Sequence, residues 1–307
     1  MSLLVVGTVA FDSVESPFGK AEHILGGAGT YIGLSASYLT QPIHLVSVVG
    51  EDFPEEHFQR MRNRNIDISG IEVVKGGKTF FWAGKYRQDL NTRDTLDTQL
   101  NVLANFNPIV PDHMRSADFL MLGNLLPDVQ RKVMEQLNGR PKLVVMDTMN
   151  FWIEHYHESL MEGLKLTDVL TINDEEARML SGEYALPKAA QKILSMGPKY
   201  LVIKKGEHGA LLFGEGKAFF APALPLEEVF DPTGAGDSFA GGFIGYLSRT
   251  QDVSFENMKR ALIYGSVMAS FCVEKFGTEQ LVHLNTSDIN DRIRRFVELT
   301  QFEIPLS

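Results

Sequence analysis

Short apolar runs recur along this chain, and a segment with helical patterning follows nearly every one. That alternation restricts the fold more than any other feature of the sequence. The runs are Leu3–Gly7, Ile43–Val49, Phe119–Gly123, Lys142–Asp147, Val169–Asn173 and Tyr200–Lys204. Helical segments fall between them at Thr30–Leu39, Glu55–Arg64, Val129–Leu137, Phe151–Leu164 and Asp174–Leu180. Strand followed by helix, repeated, requires parallel strands joined by crossover helices. The expected fold is therefore α/β, a doubly wound and mostly parallel sheet of the Rossmann-like kind. Ligands of such sheets bind beyond the carboxyl ends of the strands. The last third reads as helical, over Asp237–Arg249, Phe255–Val273 and Ser287–Leu299.

One stretch breaks the rhythm. Ile71–Val74 and Thr79–Tyr86 are strand-like and flank Gly76-Gly77 with no helix between them, which is a hairpin signal. Two strands alone are marginal, so they need further partners. Phe11–Ile24 is expected to supply them. The reading is one domain over 1–307 with a small β-lid built from about 11–24 and 71–98.

Composition narrows the function. The 307 residues are 44% apolar and 22% charged, as in a folded globular chain. A net charge of −10 gives no basic field, which argues against nucleic acid and an anionic membrane surface as partners. No apolar run is long enough to span a bilayer, and Met1–Gly7 lacks the basic start of a signal peptide. A cytoplasmic protein is expected. The lone Cys272 excludes an intrachain disulfide framework and a zinc–cysteine cluster. Several tempting motifs fail. Gly77-Lys78-Thr79 lacks the first glycine of a phosphate-binding Walker loop, which Glu72 replaces, and His155-x-His157 has no third ligand at metal-site spacing.

The strongest local motif is Asp231-Pro232-Thr233-Gly234-Ala235-Gly236-Asp237-Ser238-Phe239. Phe239, Phe243 and Leu247 then repeat at helical spacing, so a helix starts near Gly236. Gly-Ala-Gly leaves backbone amides uncovered at the positive end of that helix, an anion-binding cradle. Asp237 in the first turn is either a plain cap or a general base beside the anion.

This motif closely resembles the C-terminal signature of the ribokinase-like, or PfkB, carbohydrate kinase family. Three further segments are similar to motifs of that family, in the same order. They are Gly26-Gly27-Ala28-Gly29 leading into a helix, Asn173-Asp174-Glu175-Glu176 at a strand end, and Val202–Gly209 ending in a glycine turn. The helix Ala261–Val273 followed by Gly277 falls where the family places a wall of the adenine site.

The resemblance implies a phosphotransferase that moves the γ-phosphoryl group of ATP to an alcohol group of a small molecule. Asp237 would take the hydroxyl proton, and Gly234, Ala235 and Gly236 would offer amides to the transferring phosphate. Lys204 and Gly206 would line ATP. Asn173 and Glu176 would organise Mg²⁺ through water, the other reading being an acidic helix start. Asp231 and Thr233 match positions where many members hold a monovalent cation such as K⁺, or else form a turn around Pro232. Asp12, Gly26 and Gly27 would bind the acceptor, with Asp12 accepting two sugar hydroxyls. Tyr31 departs from the asparagine that many sugar kinases carry there. The expected acceptor is the hydroxymethyl group of a sugar. A nucleoside is the alternative, since Phe80, Phe81, Trp82 and Tyr86 of the lid can wrap a flat base as well as pack. Lys85, Arg87 and Arg93 either meet a phosphorylated acceptor or form a solvated edge. A sensor that binds ligand without turnover is the reading from another class. A homodimer through the open lid edge is also expected.

Overall fold

The computed structural model describes residues 2–301 and 303. The domain expected over 1–307 therefore includes Met1, 302 and 304–307, which lie outside the described residues. In chain order the strands are β1 (Leu3–Val6), β2 (Ala10–Ser16), β3 (Gly19–Gly26), β4 (Ile43–Gly50), β5 (Ile66–Val74), β6 (Phe81–Tyr86), β7 (Arg93–Gln99), β8 (Phe119–Leu122), β9 (Leu143–Asp147), β10 (Val169–Asn173), β11 (Tyr200–Lys204), β12 (Ala210–Gly214) and β13 (Lys217–Ala221). They form a nine-stranded sheet in the order β13-β12-β11-β10-β9-β8-β1-β4-β5 and a four-stranded sheet in the order β3-β2-β6-β7.

Every neighbouring pair from β11 to β5 is parallel. The alternation of strands and helices is the cause: each crossover helix returns the chain to the same end of the sheet. Strand order reverses between β8 and β1, so the crevice of a doubly wound sheet opens at the carboxyl ends there. Both faces are covered. Leu3 and Val5 point into one core, with helices Ala235–Thr250 and Phe255–Cys272, while Leu4 and Val6 point into the other, with Pro127–Glu135 and Asp174–Ser181. Period-two alternation within a fully apolar strand thus feeds two cores at once.

Three expectations need correction. Ile71–Val74 belongs to β5, the edge strand of the large sheet, and not to a hairpin with Thr79–Tyr86. The Gly76-Gly77 segment instead crosses from one sheet to the other. It is held to the end of β4, where Gly50 N donates to Thr79 Oγ1 at 3.0 Å and Thr79 Oγ1 to Asp52 at 2.6 Å. The hairpin of the small sheet is β6–β7. The helix expected over Phe151–Leu164 is two helices, Asn150–His155 and His157–Leu164, because Tyr156 adopts φ −130°, ψ 35°. The antiparallel hairpin β12–β13 extends the large sheet, turning at Glu215 and Gly216, both with positive φ.

Asp168, just before β10, aligns three strands. Its Oδ2 accepts from Val144 N at 3.0 Å and its Oδ1 from Arg140 at 2.8 Å, while its carbonyl accepts from Lys199 N and Tyr200 N. Asp168 therefore sets β10 against both neighbours, with Val169 opposite Val145 and Tyr200, so that Asp147 lies opposite Thr171 and Lys204 opposite Asn173 at the far ends. Asp168→Ala would leave a buried amide without its acceptor. A loss of about 1–3 kcal/mol in unfolding free energy is expected by denaturant titration. An unchanged midpoint would remove this residue from its aligning role.

Candidate active site

Asp147, Asn173 and Lys204 close β9, β10 and β11, and pairing of Asn173 with Lys204 sets two of them side by side. Lys204 Nζ lies 2.8 Å from Asp147 Oδ2, with the lysine 17% and the aspartate 6% exposed in their side chains. Burial alone would lower the lysine pKa, but Asp147 and Glu176 outweigh it and keep the ammonium above its ordinary value. A Cβ placed on Gly236 would lie 3.2 Å from Nζ, so the ammonium sits directly beneath the glycine turn. Lys204 thus lies against the Gly234–Gly236 turn. Asp147, which the sequence reading passed over, is its partner.

Gly234 caps helix Ala235–Thr250 at φ 75°. A Cβ there would be strained and would meet the Tyr31 ring at 2.5 Å. Tyr31, 1% exposed, is therefore the floor under the turn and offers no surface to an acceptor. Its hydroxyl has no partner among the described residues. The turn is tied down on its other side by Asp231, whose oxygens accept from Thr233 N at 2.8 Å and from Gly277 N at 2.9 Å. Thr233 Oγ1 in turn meets Tyr86 of the small sheet at 3.2 Å.

Asp237 stands in the first turn of that helix, and no hydrogen bond restrains its carboxylate among the described residues. Burial first, then repulsion from Asp147, pushes its carboxyl up to about 7, against the pull of Lys204 and Arg93. The other acids near the crevice are all engaged. Asn173 and Glu176 form a reciprocal capping box, Oδ1 accepting from Glu176 N at 2.7 Å and Oε2 from Asn173 N at 2.8 Å. Burial and Asp147 raise Glu176 to about 7. Its second oxygen is free of the box, and with the carboxylates of Asp147 and Asp237 it supplies hard oxygen donors at the crevice. That donor set fits Mg²⁺.

Asp12 is 5% exposed on β2. A Cβ at Gly26 would lie 1.9 Å from its Oδ2, so only glycine leaves room for the carboxylate. Burial and Asp231 raise it to about 7, while a hydrogen bond from the Gly27 amide opposes the rise. Trp82 pairs with Asp12 across β2–β6 and shares its face, along with Gly84 and Tyr86. Phe81 is on the opposite face, stacked on His23 at 4.9 Å. Among the basic side chains Lys85 pairs with Glu15 and Arg87 with Asp94. Arg93 lies 5.4 Å from the Trp82 ring, and its charge is felt at Asp12, Glu176 and Asp237. Gly206 is beside the tip of β6–β7, where Asn91 Nδ2 donates to Glu207 Oε1 at 3.3 Å.

A glycine turn opening a helix, with an unrestrained carboxylate and a buried ammonium beside it, is an arrangement suited to phosphoryl transfer on a doubly wound sheet, although the Ala235 amide donates to the Pro232 carbonyl at 3.1 Å and is taken up within the turn. Residues 4–283 match the pfkB family of carbohydrate kinases, and the chain belongs to that family. It is 31% identical over 255 residues to the cytidine kinase of Thermococcus kodakarensis, covering 81% of this chain and 89% of that one. The nucleoside kinase of Methanothermobacter thermautotrophicus is 25% identical, covering 99% of this chain and 98% of its own. A putative ribokinase II from E. coli, solved with ATP and Mg²⁺, superposes with TM-score 0.81 at 20% identity, covering 96% and 99% of the two chains. The protein is an ATP-dependent kinase that phosphorylates a hydroxyl group of a small molecule. No helix among the described residues is long and apolar enough to cross a membrane.

Asp12, Glu176 and Asp237 hold their protons more tightly folded than unfolded. The stability this gives is full below about pH 4 and is lost as pH rises through about 7. The Tm of the ligand-free protein is expected to fall between about pH 6 and about pH 8. Asp237→Asn should flatten part of that fall and melt higher than the parent at the upper pH. An identical slope in the variant would contradict the raised carboxyl.

Proposed function

We propose that the acceptor is the ribose hydroxymethyl group of a nucleoside, so that the phosphorylated group is a sugar hydroxyl carried on a base. The observation that carries this reading is the placement of Trp82 beside Asp12 on the crevice face. A carboxylate can take two adjacent ribose hydroxyls, and a neighbouring indole can take the flat face of a base. Kinship with proteins named cytidine kinase and nucleoside kinase supports the same choice. Phe81 has no part in it, since it packs on His23.

In this mechanism Asp237 accepts the proton of the attacking hydroxyl, having no competing hydrogen bond to hold it. The amides of Gly234 and Gly236 and the Lys204 ammonium stabilise charge on the phosphoryl group in flight, the Ala235 amide being turned to the Pro232 carbonyl. Gly206 and Lys204 border the nucleotide. Asn173 and Glu176 would hold Mg²⁺ through water, and the ion would supply positive charge to offset that of the phosphates. The small sheet acts as a lid that excludes water, with Arg93 as its cation over the acids. A monovalent cation such as K⁺ at Asp231 and Thr233 belongs to the proposal, and a rate that responds to KCl but not to a bulky organic chloride would support it. A cytoplasmic location fits the use of ATP and the unpaired, buried Cys272. A homodimer through the edge of the small sheet is proposed too, and a sedimentation mass of one chain would count against it.

Asp237→Asn keeps the volume and removes the base. A fall of about 10²–10⁴ in kcat is expected, with little change in ATP affinity. Near-native turnover would reassign the base.

Nucleosides and free sugars should be compared as acceptors in the parent, Trp82→Ala and Phe81→Ala. The expected result is a nucleoside preference in kcat/KM that drops about tenfold or more in Trp82→Ala, equivalent to about 1.4 kcal/mol. Phe81→Ala should leave it in place. A free sugar outperforming every nucleoside, or equal effects of the two truncations, would overturn the nucleoside reading.

A further inference from the structure

The opposite end of the large sheet carries a second cluster that the kinase reaction does not use. His44 is the second residue of β4 and Asp67 the second of β5, and the two are register partners. At ~3.3 Å per residue, His44 lies roughly 20 Å down β4 from Gly50 at the crevice end. His113, in the short turn Asp112–Met114, reaches the same carboxylate. We propose that His44, Asp67 and His113 form a binding site for a first-row divalent cation with zinc-like ligand preferences.

The geometry is close to that of a three-ligand metal site. His44 Nδ1 lies 3.0 Å and His113 Nε2 2.9 Å from Asp67 Oδ2. The three ligand atoms lie within 4.8 Å of one another. Metal bonds of about 2.0–2.1 Å meeting at tetrahedral angles place ligand atoms about 3.3 Å apart. Each nitrogen–oxygen pair therefore needs to open by only a few tenths of an ångström to admit the ion.

The ligands are also held in place. Ser69 donates to Asp67 Oδ1 through its amide at 3.0 Å and its hydroxyl at 2.7 Å, leaving Oδ2 to the imidazoles. These bonds and the two histidines outweigh burial and keep the carboxyl well below its usual range, so the ligand is anionic. His44 is 11% exposed in its side chain, and His113 is anchored by its buried neighbour Met114. Asp67 and His113 are 32% and 55% exposed in their side chains, which leaves the remaining coordination position to water. Two imidazoles and one carboxylate favour zinc, cobalt or nickel over magnesium, which prefers oxygen alone. The ion would join the edge strand β5 to the 112–114 turn, a structural link rather than a catalytic one.

Metal-stripped protein titrated with Co²⁺ reads this directly. One equivalent should bind with the intense visible absorption of four-coordinate cobalt, which Zn²⁺ displaces and Mg²⁺ does not. His113→Ala, at an exposed position, should weaken Co²⁺ binding tenfold or more and abolish the rise in Tm caused by Zn²⁺. Its kinase rate with Mg²⁺ and ATP should match the parent. Asp67→Asn should weaken binding in the same way. Absence of the absorption, or parental Co²⁺ affinity in His113→Ala, would overturn the site.

Discussion

The ion pair between Lys204 and Asp147 is the interaction on which the kinase site depends. Its ammonium is buried among Asp147, Glu176 and Asp237, and it faces the glycine turn from below. Removing one partner of such a pair leaves an uncompensated buried charge, at a cost of about 3–5 kcal/mol. The pair bridges the stagger of the parallel strands, since Asp147 lies opposite Thr171 and Lys204 opposite Asn173 two residues further on, and Asp168 ties the starts that set this register. Register at one end of the sheet thus becomes charge geometry at the other.

Even with Lys204 in place the crevice holds more negative charge than positive. Three carboxyls there are pushed to about 7, and each rise begins with burial and is increased by a neighbouring acid. Burial and like charge therefore disfavour the ionised carboxyls, and cations or hydroxyl donors relieve this. Under the proposed function ATP brings further negative charge, which a magnesium-competent donor set and the nearby Arg93 cation would offset beside the glycine turn. Stability given up to bury Asp237 would then leave a carboxylate able to take a proton near neutral pH.

Much of this was legible in the sequence because the information was local. Apolar runs fixed the parallel strands, and the Gly234–Gly236 turn marked the helix start beneath which Lys204 lies. Asn173 and Glu176, three apart at a strand end, carry a capping box in plain view. What escaped required long-range pairing. The sequence shows that Phe81 and Trp82 alternate, but only the pairing of β6 with β2 says which of them faces Asp12. Gly76-Gly77 has the composition of a hairpin turn, and the bonds to Gly50 and Asp52 make it a crossing between sheets. Asp147 is one aspartate among many until Lys204, 57 residues later, finds it.

Under the proposed function, acceptor choice and catalysis are linked through the small sheet. Tyr86 bonds Thr233 just ahead of the glycine turn, Asn91 bonds Glu207 beside Gly206, and Trp82 lies next to Asp12. These contacts arise from one strand, β6, and the turn that follows it. A ligand that displaces Trp82 therefore acts on the same strand that touches the 231–237 segment. The four-stranded sheet has open edges at β3 and β7, and the chain passes between the two sheets at 7–9 and 75–80, with Phe11 and Leu25 packed into the core of the large sheet. Under the proposed function, closure of its outer strands would exclude water from a site whose electrostatic stabilisation grows as water leaves. The correct acceptor would engage both Asp12 and Trp82, and a molecule too small to do so would leave the surroundings of Asp237 open.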